Sequence, residues 1–356
     1  MLSLGRTGEA WILRNTDHRP ASDTCFTWEH AVFLYDGRHK LKVNREMLSI
    51  VVIAIIIIAA LFFGLLSVLY RRSIYNSDEQ KNCPVQLPPG KDYNPYHPQM
   101  LALVDEMFEQ PFEWIKIRSW DGLDLYGRYL HVKDGAPVAI QVHGYRSWGM
   151  RDFCGGNKIA RENGINTLLI QQRAHGKSGG HTLTFGIKER YDLLDWIRYV
   201  LKRFGDDTEI ILAGISMGAA TVLMASELDL PKNVRGITAD SSYTSPEAIV
   251  RKVIQQNGLS DKVFFPLVNL SAMLFGHVNL KEASPIEAVK KAKVPILLLH
   301  GTDDRFVPYP MGLMLRDACT GPVRFESFKG APHGIGYILE PERYERILLD
   351  FFREIL

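Results

Sequence analysis

Glu209-Ile210-Ile211-Leu212-Ala213-Gly214-Ile215-Ser216-Met217-Gly218-Ala219-Ala220-Thr221-Val222-Leu223-Met224-Ala225 is the stretch whose reading decides the fold. The run up to Ala213 reads as a short buried strand, and Ala219 to Ala225 reads as a helix. Between them lies Gly-x-Ser-x-Gly, the context of a nucleophile elbow. Such a turn is tight and strained, so small residues must flank the serine. Gly214 and Gly218 let the backbones of strand and helix approach without side-chain clash. The Ser216 hydroxyl is then held above a sheet, at a helix N-terminus that favours developing negative charge.

Outward from this stretch the chain alternates between strand and helix. Glu113 to Arg118 and Leu123 to His131 read as paired strands with Asp121-Gly122 at the turn. Pro137 to Val142, Asn166 to Ile170, Val234 to Ala239, Val294 to His300 and Val323 to Phe328 read as further strands. Asp152 to Asn163 and the amphipathic Ile187 to Phe204 read as helices. This alternation predicts a mostly parallel sheet covered on both faces.

A serine hydroxyl needs a base in hydrogen-bond reach, and the base needs an orienting acid. In an open parallel sheet such groups sit at the carboxyl ends of strands. One acid candidate lies in His300-Gly301-Thr302-Asp303-Asp304-Arg305-Phe306-Val307-Pro308; Asp240, after Val234 to Ala239, competes with it. The base candidate is His333, in Gly330-Ala331-Pro332-His333-Gly334 after the last strand. An oxyanion hole needs two backbone N–H groups. Met217, the residue after the serine, supplies one, and the loop His143-Gly144-Tyr145 is the candidate for the other.

The His-Gly-x-x-Asp-x-x-Val-Pro arrangement resembles the acid loop of α/β-hydrolase-fold serine hydrolases. That resemblance makes Asp304 the triad acid and Asp303 its exposed neighbour. The loop around His333 is similar to the family's histidine loop, and His143-Gly144-Tyr145 to its oxyanion loop, with the Tyr145 N–H as donor. The likeness covers roughly Leu101 to Leu356. Tyr191-Asp192-Leu193-Leu194-Asp195-Trp196 also resembles membrane-anchored bacterial members related to the serine aminopeptidase group. The expected reaction is hydrolysis of a carboxylic ester through an acyl-enzyme. Cleavage of a peptide or amide is the alternative, and a non-catalytic binding module of the same fold is a third reading.

Members of this fold often carry a cap over the nucleophile, and the stretch after Val234 to Ala239 is long enough for one. It is placed at 245–283. Phe264, Leu267, Val268, Leu274 and Phe275 recur there at helical spacing, with Pro266 expected in a first helical turn. Phe264, Leu267 and Phe275 are expected to form an apolar wall for a short to medium acyl group. Core packing against the sheet is the other reading of that stripe.

Leu48 to Tyr70 contains no charged residue and is long enough to cross a bilayer. Arg71-Arg72 follows it, with no small-x-small cleavage site. It is read as a single-pass membrane anchor within 47–72, with the lipid bilayer as partner. Basic residues flank both ends, which leaves the side of the catalytic domain open. Met47 stands directly before the run and reads as an alternative start, which makes 1–46 a possible over-extension with no assigned role. The proline-rich 73–100 reads as a linker or surface wrap, and the hydrolase domain as 101–356. A formal net charge of +2 implies no pull toward nucleic acid. Cys25, Cys83, Cys154 and Cys319 form no Cys-x-x-Cys, and no His-Glu-x-x-His or Gly-x-Gly-x-x-Gly occurs, so neither metal nor dinucleotide is expected. Gly176-Lys177-Ser178 lacks the earlier glycine of a phosphate loop, because Gln171 stands there.

Overall fold

The computed structural model describes residues 45–81 and 87–356; the reading of 1–46 as an over-extension falls almost wholly outside them. The chain divides into two compact units, Met1–Ile57 and Ile58–Leu356. In the first, the described residues are helical and exposed. They begin helix α1, Arg45–Ser73, whose last part belongs to the second unit. α1 has 29 residues and is long and apolar enough to cross a membrane.

The second unit is built on one eight-stranded sheet. Its strands are β1 (Glu113–Arg118), β2 (Asp124–Leu130), β3 (Val138–Val142), β4 (Asn166–Gln171), β5 (Ile210–Ile215), β6 (Val234–Asp240), β7 (Ile296–Gly301) and β8 (Val323–Phe328). The spatial order is β1-β2-β4-β3-β5-β6-β7-β8. β2 pairs antiparallel with both β1 and β4, and every other pair is parallel.

Burial explains the strand sequences. β3, β4 and β7 are buried at every position, as strands covered on both faces must be. The period of two sends alternate residues to opposite sides. Ile210, Leu212, Ile296 and Leu298 enter one core, with Trp196 and Ile197 of α4 (Glu189–Phe204) and Val222 of α5 (Met217–Ala225). Ile211, Leu297 and Leu299 enter the other, with Ile159 of α3 (Cys154–Glu162) and Phe351 of α9 (Pro341–Ile355). α2 is His97–Phe108, and α8 is Tyr309–Ala318.

Two elements differ from expectation. The compact unit begins at Ile58, so 73–100 is part of it. Ile74 is fully buried, Tyr75 bridges to Thr182, and α2 starts at His97, before Leu101. Of the two readings of that stretch, linker or surface wrap, its described residues fit the wrap. The 245–283 stretch folds into α6 (Pro246–Gln256) and α7 (Asp261–Gly276). Pro266 lies inside α7, not in its first turn. It is exposed there, so the carbonyl that its missing N–H leaves unpaired lies on the solvent side.

Candidate active site

β5 ends in the strained turn that the glycines foretell. Ser216 has φ 57° and ψ −116°, a conformation costly for a non-glycine residue. A Cβ on Gly218 would fall 1.8 Å from the Val142 carbonyl oxygen, and one on Gly214 would fall 2.3 Å from that of Gly218. Both positions therefore exclude every side chain. The Ser216 N–H donates to the Asp240 carbonyl at 2.8 Å, which ties the turn to β6.

His333, after β8, meets Asp304, after β7. Its Nδ1 lies 2.6 Å from Asp304 Oδ2. The carboxylate only accepts, so Nδ1 carries the proton and Nε2 keeps its lone pair. Asp304 Oδ1 accepts from the N–H groups of Phe306 and Val307 at 2.9 and 2.7 Å. Burial works to raise the Asp304 pKa, but His333 and the nearby His300 outweigh it and hold it at about 2. Burial in turn works against a charged His333, and the Asp304 carboxylate reverses this, raising His333 above its ordinary value. His300 is fully buried and donates from Nε2 to the Val307 carbonyl at 2.9 Å, closing the acid loop.

Asp240 is held otherwise. Its carboxyl accepts from the Tyr344 hydroxyl and the Ser241 hydroxyl, each at 2.9 Å. Burial raises its pKa. Asp303 is exposed, as expected of the neighbour, and its carboxyl accepts from the Thr302 hydroxyl at 3.1 Å.

Ser216, His333, Gly144 and Tyr145 line one cavity of about 480 Å³. Among the described residues the Ser216 hydroxyl has no hydrogen bond, and neither has the N–H of Tyr145 or of Met217. Both amides are thus free to meet an oxyanion. A long serine–histidine distance is common before substrate binds.

The loop after β3 has supports that no sequence pattern announced. The Gly144 N–H donates to Asp152 Oδ2 at 2.8 Å, and Arg151 Nε and Nη2 hold Asp152 Oδ1 at 3.0 and 2.8 Å. Burial works to raise the Asp152 pKa, and Arg151 with the hydrogen bonds outweighs it, keeping the carboxylate charged. His175 is buried between the Arg146 N–H, which donates to its Nε2 at 3.1 Å, and the Arg173 carbonyl, 2.9 Å from its Nδ1. One nitrogen accepts and the other donates, so this ring is neutral; burial holds its pKa well below the ordinary value.

Pro88, Pro89, Asp92 and Tyr93 also line the cavity, as do Phe306, Tyr337 and Ile338. Phe264, Leu267 and Phe275 do not. The apolar wall expected on α7 is therefore supplied from elsewhere. α7 turns Phe265, Val268 and Ala272 into a core with Ile249 and Val250 of α6, Phe264 packs against that core, and Val263, Met273, Leu274 and Phe275 are exposed.

Fold and site together define an α/β-hydrolase-fold serine hydrolase. The BD-FAE family model matches residues 123–318, more than half of the 356-residue chain, and the chain belongs to that family. It is 24% identical over 250 residues to the uncharacterized protein YqkD of Bacillus subtilis (strain 168), across 70% of this chain and 82% of that one. Among solved structures it is similar to the Pyrococcus furiosus esterase Pf2001, with a TM-score of 0.60 and 20% identity, across 77% of this chain and 97% of that one. It is also similar to the Pyrococcus horikoshii acylaminoacyl peptidase, with a TM-score of 0.53 and 19% identity, across 72% of this chain and 43% of that one. These two structural likenesses concern the fold.

Proposed function

We propose that this chain hydrolyses carboxylic esters with small to medium apolar acyl groups, using Ser216, His333 and Asp304, and that α1 anchors it in a membrane. The observation that carries the reading is the 2.6 Å pair between His333 and Asp304 beside a strained, cavity-lining Ser216. His333 Nε2 takes the hydroxyl proton as Ser216 Oγ attacks the ester carbonyl carbon. The tetrahedral oxyanion is met by the N–H groups of Tyr145 and Met217. The imidazolium, steadied by Asp304, gives its proton to the departing alkoxide, which leaves acyl-Ser216. Water, deprotonated by His333, attacks the acyl carbon, and collapse releases the acid and restores the serine.

An ester is preferred over an amide on two grounds. The cavity of about 480 Å³ is of small-molecule size. One structural relative is named an esterase along nearly its whole length. The first experiment is reaction with a fluorophosphonate probe, together with turnover of p-nitrophenyl esters and aminoacyl amides by the full chain. The wild type labels and cleaves esters, whereas Ser216→Ala loses labelling and loses turnover by several orders of magnitude. Faster cleavage of the amides would move the reading to a peptidase, and no labelling at all would move it to a binding module.

A further inference from the structure

Helix α7 carries an apolar surface that nothing in the catalytic reading uses. Its inner face, Phe265, Val268 and Ala272, is buried. Val263, Pro266, Leu270, Met273 and Leu274 recur on the other side at steps of three and four. Val263, Met273 and Leu274 are 57%, 46% and 44% exposed. No acidic or basic residue interrupts the helix between Lys262 and Phe275. None of these side chains lines the cavity beside Ser216.

The end of α1 shows what this surface faces. Ile58, Leu61, Phe63 and Val68 of α1 are exposed, and Tyr70 closes the apolar run just before Arg71-Arg72. A tyrosine followed by arginines marks the level where such a helix passes from hydrocarbon into the polar interface. The Tyr70 ring lies 5.6 Å from that of Phe275, and its hydroxyl is 2.8 Å from Thr182 Oγ1. A Cβ on Gly276 would come within 3.2 Å of the Tyr70 ring. The C-terminal end of α7 is therefore fixed at the depth of Tyr70, with Met273 and Leu274 within one turn of that contact.

We infer that the exposed stripe of α7 is a second membrane-contact surface, which lies in the interface of the bilayer that α1 enters. This rests on the reading of α1 as an anchor. An apolar helix face in the interface buries its side chains below the headgroups, whereas the anchor alone would leave the stripe in water.

The test uses the full chain with Cys25, Cys83 and Cys319 replaced by serine, and a single Leu274→Cys carrying an environment-sensitive dye. A second variant, Val263→Cys, reports the other end of the stripe, and Glu342→Cys on α9 is the aqueous reference. Each is mixed with phosphatidylcholine–phosphatidylglycerol vesicles containing lipids with a nitroxide on a shallow acyl carbon. The dye at both α7 positions should be quenched by the nitroxide about threefold more than the reference, and shielded from iodide. If the chain floats with vesicles in high salt but both dyes match the reference, the surface is disproved and the anchor stands. If the dyes are shielded from iodide without nitroxide quenching, the stripe is covered by protein and the inference is overturned. If the chain does not float, both readings fail.

Discussion

Asp304 and Asp240 are buried carboxyl groups at the ends of neighbouring strands, yet only Asp304 bonds to His333. Asp240 instead accepts from two hydroxyls, and burial raises its pKa, as expected of a structural group. Asp304→Asn should lower kcat/KM by on the order of 10²- to 10⁴-fold, whereas Asp240→Asn should leave most of it. The pH profile separates the two further. His333 must be neutral to act, and Asp304 raises its pKa, so the acidic limb of wild-type kcat/KM lies above the ordinary histidine value of 6.5. Removing the carboxylate leaves burial, which lowers the His333 pKa. The limb of Asp304→Asn should then move to lower pH while the plateau collapses. A plateau lost in Asp240→Asn and kept in Asp304→Asn would reverse the assignment. Ser216, Asp304 and His333 were legible in the sequence because each lies in a short local pattern after a strand. Asp152, His175 and Tyr93 were not, since each acts through a partner brought near only by the fold.

At the scale of elements, the sequence located each strand among the described residues to within about two residues; the parallel strands, covered on both faces, leave little choice of residue. The segment before α2 was harder, since prolines mark a wrap and a linker alike. The loop after β3 shows what an element needs beyond its backbone. The amide proposed to meet the oxyanion, that of Tyr145, sits one residue past Gly144, whose own N–H is held by Asp152. Asp152 does not meet the reacting carbonyl in this reading; it is a positioning residue. Asp152→Asn keeps an acceptor oxygen but discards the charge that Arg151 holds. Asp152→Ala should therefore reduce kcat by about tenfold to a hundredfold with little change in KM, and Asp152→Asn should recover part of the loss. Equal losses in kcat for both, with an unchanged melting temperature, would point to a need for the charge itself rather than for the bond to Gly144.

For the whole molecule, the cavity is closed by three distant parts of the chain. Gln256, at the end of α6, donates to the Arg305 carbonyl at 2.8 Å. The Arg305 side chain reaches Asp92 at 3.7 Å. Tyr93, the next residue, packs with Met100, Ile335 and Ile338. Burial, with Asp304 and Asp92, pushes its phenol up to about 12, so it stays protonated through the working range. The Asp92–Arg305 pair is largely exposed, and a surface ion pair contributes little. The apolar contacts of Tyr93 are thus the stronger closure. They limit the space an acyl chain can fill, where each buried methylene is worth about 0.8 kcal/mol. A series of p-nitrophenyl esters should give a peak at short to medium chains for the wild type. Tyr93→Ala removes a wall of the cavity and should move that peak by about two or more carbons toward longer chains, since a freed aromatic volume holds several methylenes. Phe264→Ala, on the helix that does not line the cavity, should leave the peak in place. An unmoved optimum in Tyr93→Ala, or a shift in Phe264→Ala, would return the acyl wall to α7.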